Sequence, residues 1–314
     1  MKLNKKKDCP TCGNSKAIYL DKFWRCPRCL YQFADPQDES FTKAYYQKDI
    51  GLLVQNVLEE KDKKVHLRKY ATLAMRDIAL LNKGLRICDI GCGTGVFLLK
   101  LKENGHKVYG YDINKAQTEF ARKINKLHHI RDAQSLKGYC RKMKIKKGFF
   151  DVITCFEVIE HVLDLNEFVE EIYTYLKPGG VLIVSTPNNE RIQMHEKWDY
   201  PPIHVSRFKK KNMELLLMKH SLVIQSFRTF NELGYYSGNL IAKMKFSHQA
   251  LEHMVKASTD PSSARKSSRN AKFFMLLSQA KRTACLFIDL PLYLFLSTQR
   301  EKGHTMFVVA KKTI

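Results

Sequence analysis

No run of about 18 uncharged apolar residues occurs in these 314 residues, so no membrane-spanning helix is expected. No apolar run follows the basic start Met1-Lys-Leu-Asn-Lys-Lys-Lys7, so no secretory leader is expected either. Beyond residue 29 the cysteines are unmatched: Cys88, Cys92, Cys140, Cys155 and Cys285 are scattered and odd in number. That pattern fits a reducing, cytoplasmic setting better than a disulfide framework. Acidic residues are few, 31 against 54 Lys and Arg, which leaves a formal net charge of +23. The lysines are spread along the chain. Two readings therefore stand: a polyanionic partner (nucleic acid or an anionic membrane surface), or lysine used as a general solubiliser. The length admits one large domain plus a small one.

What is present begins with two tight cysteine pairs, Cys9-Pro-Thr-Cys12 and Cys26-Pro-Arg-Cys29, separated by 13 residues. Between them, Ala17–Leu20 and Phe23–Arg25 predict two short strands. Four thiolates on two knuckles of a hairpin suit tetrahedral zinc. Residues 1–35 are too short to hold a core of their own, so they are expected to form a separate module folded by the metal. A redox role for the CxxC pairs is the alternative, though redox motifs seldom come matched.

The run Ile87-Cys88-Asp89-Ile90-Gly91-Cys92-Gly93-Thr94-Gly95 is a short apolar strand that ends in an acid and three glycines at alternate positions. Glycine allows a sharp turn and a close approach of ligand to backbone. Strand, glycine loop and helix in that order place a ligand at the carboxyl end of a parallel strand. The dinucleotide fingerprint needs a glycine at position 96, which is Val96, so a pyrophosphate is disfavoured.

Strand and helix then alternate. Strands are expected at 85–90, 108–112, 150–156, 181–186, 222–230 and 305–310, and helices at 96–104, 115–126, 163–176 and 209–220. This predicts an α/β, doubly wound, mostly parallel sheet with helices on both faces. Residues 36–84 are expected to form a helical linker, and 85–314 the main domain. Residues 236–302 are expected as an insertion before the last strand. It carries a basic turn-rich segment, Lys256–Arg282, and an apolar one, Ala284–Ser297. The insertion is either a cap over the site or a peripheral membrane contact.

Asp112 falls at the tip of the second strand, about 20 residues after the loop, where a carboxylate holds a ribose diol. The alternative is an N-cap for the helix from Lys115. Glu157-x-x-Glu160-His161 follows the strand 150–156, and His204 follows the strand 181–186. Two carboxylates with imidazoles suit a hard divalent cation, Mg2+, that orients a hydroxyl. The alternative is that Glu157 and Glu160 cap a helix start, with His161 packed or acting as a base. His161 and His204 are the candidate catalytic bases.

These pieces lie in one order with Phe150–Val162 and with Leu176-Lys-Pro-Gly-Gly-Val-Leu-Ile-Val-Ser-Thr-Pro-Asn188. In that order they resemble the Rossmann-like S-adenosylmethionine (SAM) dependent methyltransferases, nearest the ubiquinone-pathway O-methyltransferase branch, over about residues 85–230. The resemblance implies a seven-stranded sheet and SAM as cofactor. It implies cofactor contacts from Asp89, Gly91, Cys92, Gly93, Gly95, Ile113 and Phe156, ribose binding by Asp112, and an adenine edge at Asp132 and Ala133. Glu-x-x-Glu-His with a later His is similar to metal sites of the ubiquinone-pathway enzymes and of small-RNA 3′-end 2′-O-methyltransferases. The cysteine ribbon followed by Phe33–Pro36 and an aromatic stretch resembles methyltransferases of sugar and cell-surface polysaccharide pathways. A small-molecule or glycan acceptor, lipid-linked glycans included, is therefore expected. RNA is the runner-up, disfavoured because the basic residues are not interleaved with a stacking platform. A non-catalytic zinc-ribbon binding protein is a third reading.

Overall fold

A computed structural model describes residues 7–34, 67–191, 199–231, 294–295 and 301–313. Most of the expected linker at 36–84 and of the insertion at 236–302, with Cys285, lies outside the described residues. The chain divides into two compact units, residues 1–229 with 304–314, and residues 230–303. The architecture below is that of the first unit.

Three short strands open it: β1 (Ile18–Leu20), β2 (Phe23–Arg25) and β3 (Gln32–Phe33). Helix α1 (Lys69–Ala79) buries Ala71, Ala74 and Ile78 along one face. An alternating series follows: β4 (Arg86–Ile90), α2 (Val96–Glu103), β5 (Lys107–Asp112) and α3 (Lys115–Lys123). It continues through β6 (Ile130–Asp132), α4 (Leu136–Met143), β7 (Phe150–Phe156), a single 3-10 turn (Ile159–His161) and α5 (Leu165–Tyr175). The last elements are β8 (Leu176–Pro187), β9 (Ser206–Arg207), α6 (Lys210–Lys219), β10 (Leu222–Phe230) and β11 (Thr305–Lys312).

Seven strands form one sheet in the order β10-β11-β8-β7-β4-β5-β6. The pairs β4 with β5, β4 with β7, β5 with β6 and β7 with β8 are parallel, as the alternation requires. β11 lies antiparallel to β8, Val308 opposite Val184. The central strand β7 is buried along nearly its whole length, which is why Phe150-Asp-Val-Ile-Thr-Cys-Phe156 lacks the alternation of a half-exposed strand.

Sequence reasoning missed β6 and α4. A three-residue edge strand has too little length to show a period. In α4 the buried Leu136, Tyr139 and Cys140 are interrupted by Gly138 and basic residues. β8 begins at Leu176 rather than at the expected Val181, because the strand runs through Gly179 and Gly180 with a register shift opposite Phe150–Val152.

The N-terminal cysteine segment is not a separate module. Its hairpin belongs to a four-stranded sheet, β1-β2-β3-β9, whose last strand comes from residues 206–207. Cys9, Trp24, Tyr31 and Phe33 sit in the same buried cluster as Ile153, Leu182, Val184, Phe208 and Leu216. The hairpin cannot build a core alone, and it shares that of the main sheet.

Candidate active site

The glycine loop joins β4 to α2. Gly91, Gly93 and Gly95 all have positive φ, +72°, +52° and +78°. A side chain at Gly91 would also meet Val158 Cγ2 at 2.5 Å, and one at Gly93 would meet Gln117 Oε1 at 2.7 Å. At Gly91 both backbone and space therefore require glycine; at Gly93 the backbone does, since the Gln117 amide can swing away. Gly95 caps α2 in the left-handed conformation. Cys92 is buried and its N–H donates to the Tyr111 carbonyl at 3.1 Å, tying the loop to β5.

Asp89 is buried just before the loop, where the Thr154 hydroxyl donates to Oδ1 at 2.6 Å. Burial pushes its carboxyl up to about 7, against the lowering effect of that hydrogen bond. Asp112, at the tip of β5, accepts from Gly93 N–H on Oδ2 (2.9 Å) and from Asn114 N–H on Oδ1 (2.8 Å). Burial raises its carboxyl too. The N-cap of α3 is Asn114, whose side chain accepts from Gln117 N–H, so Asp112 is not needed for that role. Ile113 follows it, half-buried. Two hydrogen bonds hold the Asp112 carboxylate beside the glycine loop. These residues fit the adenosyl cofactor that the sequence implies.

Ala133 is buried and its N–H donates to the Asp112 carbonyl at 3.1 Å, which places the end of β6 beside the tip of β5. Asp132 turns to Lys142, whose ammonium lies 3.4 Å from Oδ2. Phe156, at the carboxyl end of β7, packs against Tyr70 of α1 and Phe97 of α2, ring centroids 5.0 and 5.2 Å apart. In the sequence Tyr70 is legible as one position of a helical periodicity, but not as a neighbour of Phe156.

The second cluster follows β7, whose carboxyl end lies beside that of β4, Cys155 opposite Ile90. Ligand atoms of Glu160, His161 and His204 all lie within 4.8 Å of one another. Glu157 does not join them. It has φ +55°, its N–H donates to the Ser185 carbonyl at 2.9 Å, and Ser185 Oγ donates to its Oε1 at 2.8 Å. The left-handed residue and the 3-10 turn after it break the helical spacing that would bring residues 157 and 160 together.

Glu160 is 1% exposed; Thr186 Oγ1 donates to its Oε2 at 2.9 Å, while Oε1 has no hydrogen-bond partner. Burial raises its carboxyl, and the nearby His204 opposes that. His161 Nδ1 lies 2.7 Å from the Ile203 carbonyl, which can only accept, so Nδ1 carries the proton and Nε2 a lone pair. Burial pushes the His161 ring down to about 4, so it is neutral at pH 7. His204 Nδ1 is 3.5 Å from Asp199 Oδ1, and Asp199 is itself ion-paired with Arg191. The His161 and His204 rings are 4.9 Å apart. Asp199 was not foreseen, because nothing in its spacing connects it to His204.

One carboxylate and two imidazoles do not fit the expected Mg2+, which prefers an all-oxygen shell. The set matches a borderline transition metal or a proton-handling group.

The four N-terminal thiols do fit zinc. Cys9 Sγ and Cys29 Sγ are 3.5 Å apart, Cys12 Sγ and Cys26 Sγ 3.6 Å, and all four lie within 4.8 Å. Zn–S bonds of about 2.3 Å in a tetrahedron require sulfur separations of about 3.8 Å. Thr11 Oγ1 lies 3.2 Å from Cys9 Sγ and 3.3 Å from Cys29 Sγ, where a hydroxyl stabilises thiolates.

A sequence model of a methyltransferase domain matches residues 60–226. A ubiquinone biosynthesis O-methyltransferase from Chelativorans sp. (strain BNC1) is 37% identical over 109 residues, 34% of this chain and 42% of that protein. The match to the Bradyrhizobium diazoefficiens enzyme of the same name spans 45% of that protein, so the chain covers less than half the length of these relatives. A probable S-adenosylmethionine-dependent methyltransferase from Mycolicibacterium smegmatis is 27% identical over 198 residues, 63% of this chain and 70% of that protein. Among solved structures, a candidate sarcosine dimethylglycine methyltransferase from Galdieria sulphuraria aligns with a TM-score of 0.51 at 14% identity, over 87% of this chain and 99% of that one. That likeness is one of fold.

Proposed function

The chain belongs to the methyltransferase-domain family, and on that premise we propose that it transfers the methyl group of SAM to a hydroxyl oxygen of a small-molecule or glycan acceptor. The observation that carries the acceptor atom is the Glu160, His161 and His204 cluster, two of whose members sit in the turn after β7, the strand paired with β4. The named O-methyltransferase relatives support the same atom.

Bound SAM would supply an electrophilic methyl on a sulfonium. The protein's part is to align the acceptor with it, exclude water and take a proton. Gly91 and Gly93 let the loop turn sharply beside the cofactor, and Asp112 is set to accept from a ribose diol. His204 is the better base. Its Nδ1 faces the Asp199 carboxylate, an arrangement that stabilises an imidazolium as it forms. His161, held neutral, offers Nε2 as an acceptor that orients the hydroxyl. The zinc proposed at Cys9, Cys12, Cys26 and Cys29 has a structural role.

The test is release of S-adenosylhomocysteine from SAM with metabolite, lipid-linked glycan and RNA pools. Turnover is expected with a hydroxyl-bearing small molecule or glycan. His204→Ala is expected to lower kcat by about a hundredfold, the scale of general-base catalysis, and to leave S-adenosylhomocysteine affinity unchanged. Turnover on RNA alone, or a His204→Ala variant as fast as wild type, refutes this reading.

A further inference from the structure

The cysteine hairpin and the histidine cluster are connected by two routes through the same few residues. The first runs along the backbone. Val205, next to His204, donates its N–H to the Glu160 carbonyl at 2.9 Å and accepts on its own carbonyl from Ala34 N–H at 2.7 Å. Ala34 directly follows β3, and β3 pairs antiparallel with β9, Phe33 opposite Ser206 and Gln32 opposite Arg207. The buried Tyr31 hydroxyl donates to Ser206 Oγ at 2.7 Å and fixes that register. The second route runs through side chains. The Arg207 guanidinium lies over the rings of Phe23 (4.4 Å) and Tyr200 (4.1 Å), and its Nε donates to the Asp199 carbonyl at 2.8 Å. Asp199 in turn faces His204. On the far side, Asn212 of α6 donates to the Cys29 carbonyl at 2.7 Å, which locks the second knuckle against the main unit.

We propose that the cysteine hairpin is a positioning element for the acceptor site, setting Glu160 and His204 through Val205, Ser206, Arg207 and Asp199. This deepens the acceptor-site reading above and rests on it. The geometry explains why a two-residue strand at 206–207 exists. Ser206 and Arg207 have no partner strand in the main sheet, and β3 supplies one. Without the hairpin, the segment 199–208 would lose the pairing partner of β9 and the aromatic seat of Arg207. Its positioning residues are Tyr31 and Ser206, neither of which belongs to the histidine cluster.

Tyr31→Phe removes one hydroxyl and keeps the ring that packs on Phe33 and Phe208. Histidine side-chain NMR of the full chain reads the effect without an acceptor. The expected result is shifted His204 resonances in Tyr31→Phe and in Ser206→Ala, with no further shift in the double variant, because the two groups form one bond. Zinc content and S-adenosylhomocysteine affinity by calorimetry should stay at wild-type values. In turnover, each variant should lose about tenfold or more in kcat with KM for SAM unchanged, the pattern of a misplaced reacting group. Unshifted His204 resonances and wild-type kcat in both variants would overturn the proposal. The acceptor-site reading fails separately, if His204→Ala turns over normally while Tyr31→Phe still shifts the ring.

Discussion

The two halves of the site are built differently. The proposed cofactor half comes mostly from one stretch, residues 89–133, in which loop, strand tip and next strand follow each other within two strand-helix units, with Phe156 added from β7. The acceptor half gathers Glu160 and His161 from the turn after β7, His204 from a segment more than 40 residues later, and Val205 held from Ala34. Local backbone geometry makes the first: three positive-φ glycines and a carboxylate at a strand tip. Distant pairing makes the second. The first half is therefore mostly local, braced by Thr154 and Val158 from the neighbouring strand and its turn, and the second depends on distant segments of the unit.

Substitutions sharpen that contrast. Gly91→Val has the largest expected effect, because a β-branched residue cannot take φ +72° and its Cβ would lie 2.5 Å from Val158 Cγ2. Calorimetry should detect no S-adenosylhomocysteine binding, and the melting temperature should fall. Asp112→Ala comes next. Loss of two hydrogen bonds to a charged group is worth about 3 kcal/mol, a weakening of about a hundredfold. His204 resonances should not move in this variant; a matching shift would break the separation between the halves.

Taken per pH unit, the smallest expected effect is a pH dependence at Asp89. Its carboxyl is raised to about 7 in the folded protein and titrates near 4 when unfolded, so between those values the folded state binds the extra proton. Stability of the cofactor-free protein should fall as pH rises through that window, by at most about 1.4 kcal/mol per pH unit from this group. Asp89→Asn should flatten that slope in denaturant titrations at pH 5 and pH 7. An unchanged slope would show that Asp89 ionises normally.

Much of the main sheet was visible from the chain alone. Hydrophobic runs marked β4, β7, β10 and β11 to within two residues. The glycine spacing and Asp112 marked the cofactor half, since a tight turn and a strand-tip carboxylate are local requirements. The acceptor half was visible only as residue types. Glu157 carried the same spacing signal as Glu160, yet its left-handed backbone ties it to Ser185. Asp199 and Tyr31 carried no signal, because their roles depend on partners at residues 204 and 206.

By itself the sequence determined the longer strands and helices of the main sheet, the glycine loop and the four thiols, each a matter of short-range spacing and backbone freedom. Tertiary structure alone decided that the cysteine hairpin joins the main unit and that Glu160, His161 and His204 meet without Glu157. Those outcomes depend on which distant segments complete each other's hydrogen bonds. β3 and β9 are two-residue strands with no period to read; β3 lies between β2 and β9, and β9 has its backbone groups satisfied by β3.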